Sequence, residues 1–139
     1  MILDLTSLRK AVASLERAIR VSSAQTKDQA GSDQEEVVRA GVIQNFEFTY
    51  EICWKFIRRW LEININDAAI DGMSRKELFR LAAESRLINN VEDWFFYHKA
   101  RNETSHAYNM ETAQNIYLTS LRFVSDAKAL LQVLESKND

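Results

Sequence analysis

The chain has no proline, three glycines and one cysteine in 139 residues. Proline and glycine punctuate loops and turns, so their scarcity argues against a many-stranded sheet and favours long helices with short connections. A lone cysteine excludes an intramolecular disulfide and a four-thiolate zinc site. Cys53 lies in an apolar run beside Trp54 and is expected to be a buried, inert thiol, compatible with a reducing cytoplasm. No run of about 18 apolar residues is present, so no membrane span is expected. The N-terminus lacks the charged start and cleavage site of a signal peptide. No excess of positive charge is found either. Lys plus Arg number 18 against 20 Asp plus Glu, for a net charge of −2. A dedicated duplex-DNA binder carries a basic excess, so DNA is not an expected partner. No Walker loop, glycine-rich dinucleotide fingerprint or nucleophile elbow occurs. The paired Asp-x-Asp after Gly-Ser that holds magnesium in a nucleotidyltransferase is also missing.

What is present is helical periodicity. Leu5, Leu8, Val12, Leu15 and Ile19 recur at steps of three and four, which predicts a helix over about 3–22. Residues 22–34 are polar and contain Gly31, and are expected to form a mobile connection. A long helix is predicted over 34–62. Its polar stripe is Glu47, Glu51, Lys55, Arg58 and Glu62, with Glu51 placed to pair with Lys55. Phe46, Tyr50, Cys53, Ile57 and Trp60 flank the stripe on one side and are expected inside. Phe48, Ile52, Phe56 and Ile63 flank it on the other, either in the core or in a subunit interface. Residues 64–72 are expected to be a connection. Ser74 and Glu77 then form a capping box, with Met73 and Leu78 at staple positions, opening a short helix over 75–85. Asn89 or Asn90 is expected to cap a helix over 91–107, and Asn109 a last helix. The expected fold is all-α: an up-and-down four-helix bundle with one additional short helix, in a single domain spanning 1–139.

Chemistry concentrates near residue 100, in Arg101-Asn102-Glu103-Thr104-Ser105-His106-Ala107-Tyr108. The two histidines of the chain are His98 and His106. On an unbroken helix five residues turn by about 140°, so Arg101 and His106 do not share a face. Asn102 faces with His106, and Arg101 with Ser105. Arg101 and His106 meet if the helix ends early, or across a two-fold axis. The alternative is structural: Arg101 pairs with Glu103 or Glu84, and His106 caps carbonyls. Glu103-x-x-His106 matches one half of a di-iron helix pair, but the second half is absent, so neither a metal nor another cofactor is expected. His98 is expected to be a satisfied polar residue at the edge of the core.

Arg101-x4-His106-x-Tyr108, with Asn102 after the arginine, resembles the signature of the HEPN superfamily, nearest its nucleotidyltransferase substrate-binding subunits and the related HepT-type toxins. The similarity extends through the aromatic stretch from Asn45 to Lys55 and covers nearly the whole chain. The resemblance implies a helical bundle, often a homodimer, encoded beside a minimal nucleotidyltransferase that carries the catalytic carboxylates. Such a bundle resembles the helical domain that completes the substrate pocket of kanamycin nucleotidyltransferase. It further implies the toxin half of a toxin–antitoxin pair. Arg101 and His106 would form a metal-independent RNase site, Asn102 and Ser105 would bind substrate, and Tyr108 would be silenced when the partner adds AMP. The chemistry suits these side chains. Imidazole exchanges protons near neutral pH, and guanidinium holds two phosphate oxygens while staying charged. A phosphate on Tyr108 would block Arg101. One imidazole does not serve easily as both acid and base, and a homodimer would supply two. The remaining alternative is a non-enzymatic interaction module in which the motif only orders a helix end.

Overall fold

The computed structural model describes residues 2–25 and 31–138. Its elements are α1 (Thr6–Ser23), α2 (Asp33–Leu61), a π-helical turn (Glu62–Asn66), α3 (Asp67–Ile70), α4 (Arg75–Glu84), α5 (Val91–Asn102), a 3-10 turn (Thr104–His106) and α6 (Met110–Ser136). No strand occurs among the described residues. The expected mobile connection over 22–34 falls partly on 26–30, which lie outside the described residues. On either side of them, α1 runs on to Ser23, and the Ser32 hydroxyl accepts from the Glu35 amide to cap α2.

The long helices alternate in direction. Ser14 Oγ lies 2.6 Å from Asn45 Oδ1, and the Thr49 hydroxyl donates to the Ala11 carbonyl, so α1 and α2 are antiparallel. Arg9 pairs with Glu135, Lys128 with Glu16, and Ser22 with Tyr117, so α1 and α6 are antiparallel as well. Asn138 holds the Leu3 amide and carbonyl at 2.8 and 2.9 Å, joining the two ends of the chain. The all-α, up-and-down bundle with the short helix α4 packed beside it is the architecture observed.

The core is aromatic where α2, α4, α5 and α6 meet. The Phe123 ring contacts Phe46, Tyr97 and Trp94 at centroid distances of 5.2, 5.0 and 5.7 Å. Phe79 joins Trp54 and Trp94 at 5.4 and 5.7 Å. All but the tilted Phe79–Trp94 pair are edge-to-face, a geometry that adds to the burial of apolar area. On α2 the first predicted flank is internal: Phe46, Tyr50, Cys53 and Ile57 are fully buried, and Trp60 is partly so. The second flank divides, with Phe56 buried, Ile52 half-buried, and Phe48 and Ile63 exposed. Burial pushes the Cys53 thiol far up, away from the reactive thiolate form.

Caps set the boundaries of the later helices. Ser74 and Glu77 form the full capping box, Asn90 accepts from the Glu92 and Asp93 amides, and Asn109 accepts from the Thr112 amide. Two boundaries differ from expectation. Residues 64–72 are largely helical, because Asn64 returns its amide to the Trp60 carbonyl and Asn66 caps a further short turn. α5 stops at Asn102 instead of 107. α4 ends in a Schellman motif, in which the Leu87 amide donates to the Ala82 carbonyl at 2.9 Å and the Arg86 amide to Ala83 at 3.1 Å. Its left-handed position holds Arg86, at φ 63°, where glycine is the usual occupant. Arg86→Gly is therefore expected to raise stability by about 1 kcal/mol, read as a higher thermal midpoint.

Candidate functional site

The polar stripe of α2 does not face water along its whole length. α4 and α5 cross it, and Glu51 accordingly takes partners from both. Its Oε1 accepts from Arg101 Nε at 3.0 Å and from Arg75 Nη1 at 3.3 Å. This replaces the expected pairing with Lys55, and it also replaces Glu103 and Glu84 as partners for Arg101. One turn earlier, Glu47 accepts from the Thr104 hydroxyl at 2.6 Å. The same hydroxyl lies 2.8 Å from the Arg101 carbonyl. The end of α5 is thus stitched to α2 at two successive turns.

Around this carboxylate lies a compact polar network. Tyr50 Oη lies 2.8 Å from His98 Nδ1, and Arg75 Nη1 reaches both groups, at 3.4 and 3.5 Å. The Arg75 guanidinium stacks over the Trp54 ring, 4.4 Å from its centroid. On the outer side His98 Nε2 lies 3.4 Å from the Asn102 amide. Burial pushes the Tyr50 phenol up to about 12, so it remains protonated. Burial, and then the nearby Arg75 guanidinium, hold the His98 imidazole below its ordinary value of 6.5.

His106 and Tyr108 follow the end of α5. His106 is exposed, in the 3-10 turn, with its ring 6.1 Å from that of Tyr108. Tyr108 is 85% exposed and borders a cleft of about 370 Å³ with Arg39, Ile43, Glu47, Thr104 and Met110. Ser105 is exposed in the same turn. Among the described residues no hydrogen bond or ion pair joins Arg101 to His106, and the His106 ring caps no carbonyl. Within one chain the contacts of the motif therefore fall into two sets. Arg101 and Asn102 stand with His98, and His106 stands with Tyr108. His98 was expected at a core edge and is found there, but its place beside Arg101 was not anticipated. The signal was available, since positions 98, 101 and 102 share a helix face. No group of three or more His, Cys, Asp or Glu side chains among the described residues is placed to hold a metal.

The sequence pattern of the family described as nucleotidyltransferase substrate binding protein like matches residues 3–136. The chain belongs to this family. A Haemophilus influenzae relative named "Probable ribonuclease HepT" is 34% identical over 140 residues, covering 98% of this chain and 94% of the relative. A solved Haemophilus influenzae structure, reported to reveal the fold of a substrate-binding domain of a nucleotidyltransferase, superposes with a TM-score of 0.83 at 30% identity. It covers 95% of this chain and 99% of its own. A Thermus thermophilus structure superposes with a TM-score of 0.73 at 26% identity, over 91% of this chain and 98% of its own. The substrate-binding family and the up-and-down bundle thus coincide over nearly the full length.

His98 gives stability a pH dependence whose sign follows from its lowered value. Above about pH 6.5 the imidazole is neutral in the folded and unfolded states and contributes no slope. As pH falls below that, the unfolded chain takes up a proton first, and the folded state loses stability until its own lower value is reached. Denaturant unfolding of the wild type should therefore lose more stability between pH 7 and pH 5 than unfolding of His98→Gln. Parallel pH profiles for the two proteins would count against this environment for His98.

Proposed function

We propose that this chain is the helical subunit of a two-component minimal nucleotidyltransferase system and the toxin half of a toxin–antitoxin pair. A nucleotidyltransferase encoded nearby adds AMP to Tyr108: the phenol oxygen, giving up its proton, bonds to the α-phosphorus of ATP and pyrophosphate leaves. Membership of the substrate-binding family supports a nucleotidyltransferase partner. The observation that carries the reading is the Tyr108 phenol itself: 85% exposed, in ring contact with His106, and bordering a cleft of about 370 Å³. That volume is in the range of small-molecule sites, which gives the base and ribose of a tethered nucleotide room beside the modified residue. The proposed place of action is the cytoplasm. Mixing the protein with its neighbouring nucleotidyltransferase and ATP should add AMP to the wild type and none to Tyr108→Phe. Equal labelling of both proteins, or of neither, would overturn this assignment.

A second reading is a metal-independent endoribonuclease, active as a homodimer through Arg101 and His106, with Asn102 and Ser105 holding substrate. The name of the Haemophilus influenzae relative supports it, and so does a surface that no sequence run announced. The half-exposed Phe96 ring lies under the Arg122 guanidinium at 5.3 Å, in a cleft of about 410 Å³ that also includes Lys99. An aromatic face flanked by cations is the usual platform for an unstacked base. Arg101 and His106 share no hydrogen bond among the described residues, which makes a second copy a natural source of a facing imidazole. The wild type should cleave single-stranded RNA in EDTA. Arg101→Ala and His106→Ala should each lower the rate by at least about 10²-fold while keeping the helical signal. Cleavage by both variants at the wild-type rate would end this reading.

A further inference from the structure

His98 has two faces with different surroundings. Its Nδ1 side meets the Tyr50 hydroxyl at 2.8 Å and Arg75 Nη1 at 3.5 Å. A guanidinium offers only protons, so the cation beside Nδ1 favours a lone pair there over an N–H. The tyrosine hydroxyl, 2.8 Å away and itself an acceptor for Arg75 at 3.4 Å, then donates to that lone pair. A neutral imidazole carries one proton, which this arrangement assigns to Nε2. Nε2 is the outward nitrogen, 3.4 Å from the amide of the exposed Asn102. The amide nitrogen of Asn102 faces Nε2 here, so an Nε2–H form requires this exposed side chain to turn and offer its oxygen instead.

The charged groups that act on the His98 ring are Arg75, Arg101 and Lys76 against Glu51. Three cations face one carboxylate, so the surface favours an anion. Glu51 engages Arg101 only through Nε, and the two Nη groups of Arg101 have no partner among the described residues. A phosphate arriving at this shelf would meet Arg101 Nη donors, the Asn102 amide and His98 Nε2–H together.

We propose that His98 is a further member of the site, a neutral imidazole that presents Nε2–H, beside Arg101 and Asn102, to a non-bridging phosphate oxygen of single-stranded RNA. The choice of RNA as ligand rests on the ribonuclease reading. His98 gives up no proton in this role. It is a fixed donor whose tautomer is set from behind by Tyr50 and Arg75, and proton transfer is left to His106.

Long-range proton–nitrogen NMR of the wild type at pH 7 should show His98 neutral and protonated on Nε2. Titration with a 2′-O-methyl oligoribonucleotide, which cannot be cleaved at the blocked hydroxyl, should shift the Nε2 signal in a saturable way. Inorganic phosphate alone should shift it more weakly. His98→Ala should bind the oligonucleotide about 10- to 100-fold more weakly, the effect of losing one hydrogen bond to a charged group, while His98→Gln, which restores an N–H in a similar place, should recover most of the affinity. A charged or Nδ1-protonated His98, an unmoved Nε2 signal, or equal affinities for wild type and His98→Ala would overturn the proposal. If Arg101→Ala and His106→Ala cleave RNA as the wild type does while the His98 results hold, the ribonuclease reading fails and the phosphate site stands.

Discussion

A single carboxylate shared by two guanidiniums organises this end of the molecule. Glu51 lies on α2, Arg75 on α4 and Arg101 on α5, so one side chain joins three helices. All three groups are only partly exposed, at 27–33%. In that setting the desolvation of each charge is offset only while the others remain in place. Removing the carboxylate would leave two cations side by side. Removing Arg101 would leave Arg75 to hold Glu51 alone. Arg75 is further fixed by its stack on Trp54, so the network is anchored in the aromatic core rather than floating on the surface. The position of Arg101 is therefore a consequence of core packing several residues away.

The early end of α5 has the same origin. Had the helix continued to 107, the arginine and the second histidine would point in directions about 140° apart on one rigid rod. Instead the Thr104 hydroxyl turns to Glu47 and the Arg101 carbonyl, and the chain tightens into a 3-10 turn. Arg101 in the last turn also sets a positive charge where the helix dipole is negative. The result is a division of the motif. One part is polar, partly covered and rigid, with Arg101, Asn102 and His98 braced by Tyr50, Glu51 and Arg75. The other is exposed, with His106 against the ring of Tyr108 and Tyr108 bordering a cleft. A modification enzyme needs access to a phenol, and a phosphate site needs fixed donors. Under the proposed reading the two parts serve these needs separately.

Much of the fold was legible in the sequence, because caps and periodicity are local. Ser74 with Glu77, Asn90 and Asn109 each act within their own helix turn, and the inner flank of α2 follows from 3.6-residue spacing. Less legible was anything decided by neighbours. Glu51 reads as a solvent-facing partner for Lys55 until α4 and α5 are laid across it. His98 reads as an ordinary edge residue until Tyr50 and Arg75 converge on one of its nitrogens. Arg86 in a left-handed position, where glycine would be expected, leaves no mark in the sequence. The helical character of 64–72 was hidden because alternating Ile and Asn have modest helix propensity, and two asparagine side chains supply the missing bonds.

The claim on which the site depends is that Glu51 holds Arg101. A double-mutant cycle on unfolding free energy, using Glu51→Gln, Arg101→Gln and both together, tests it without reference to activity. The two changes should be non-additive, with a coupling of at least about 0.5 kcal/mol for a partly covered ion pair. Additivity within about 0.3 kcal/mol, at low and at moderate salt, would contradict the account.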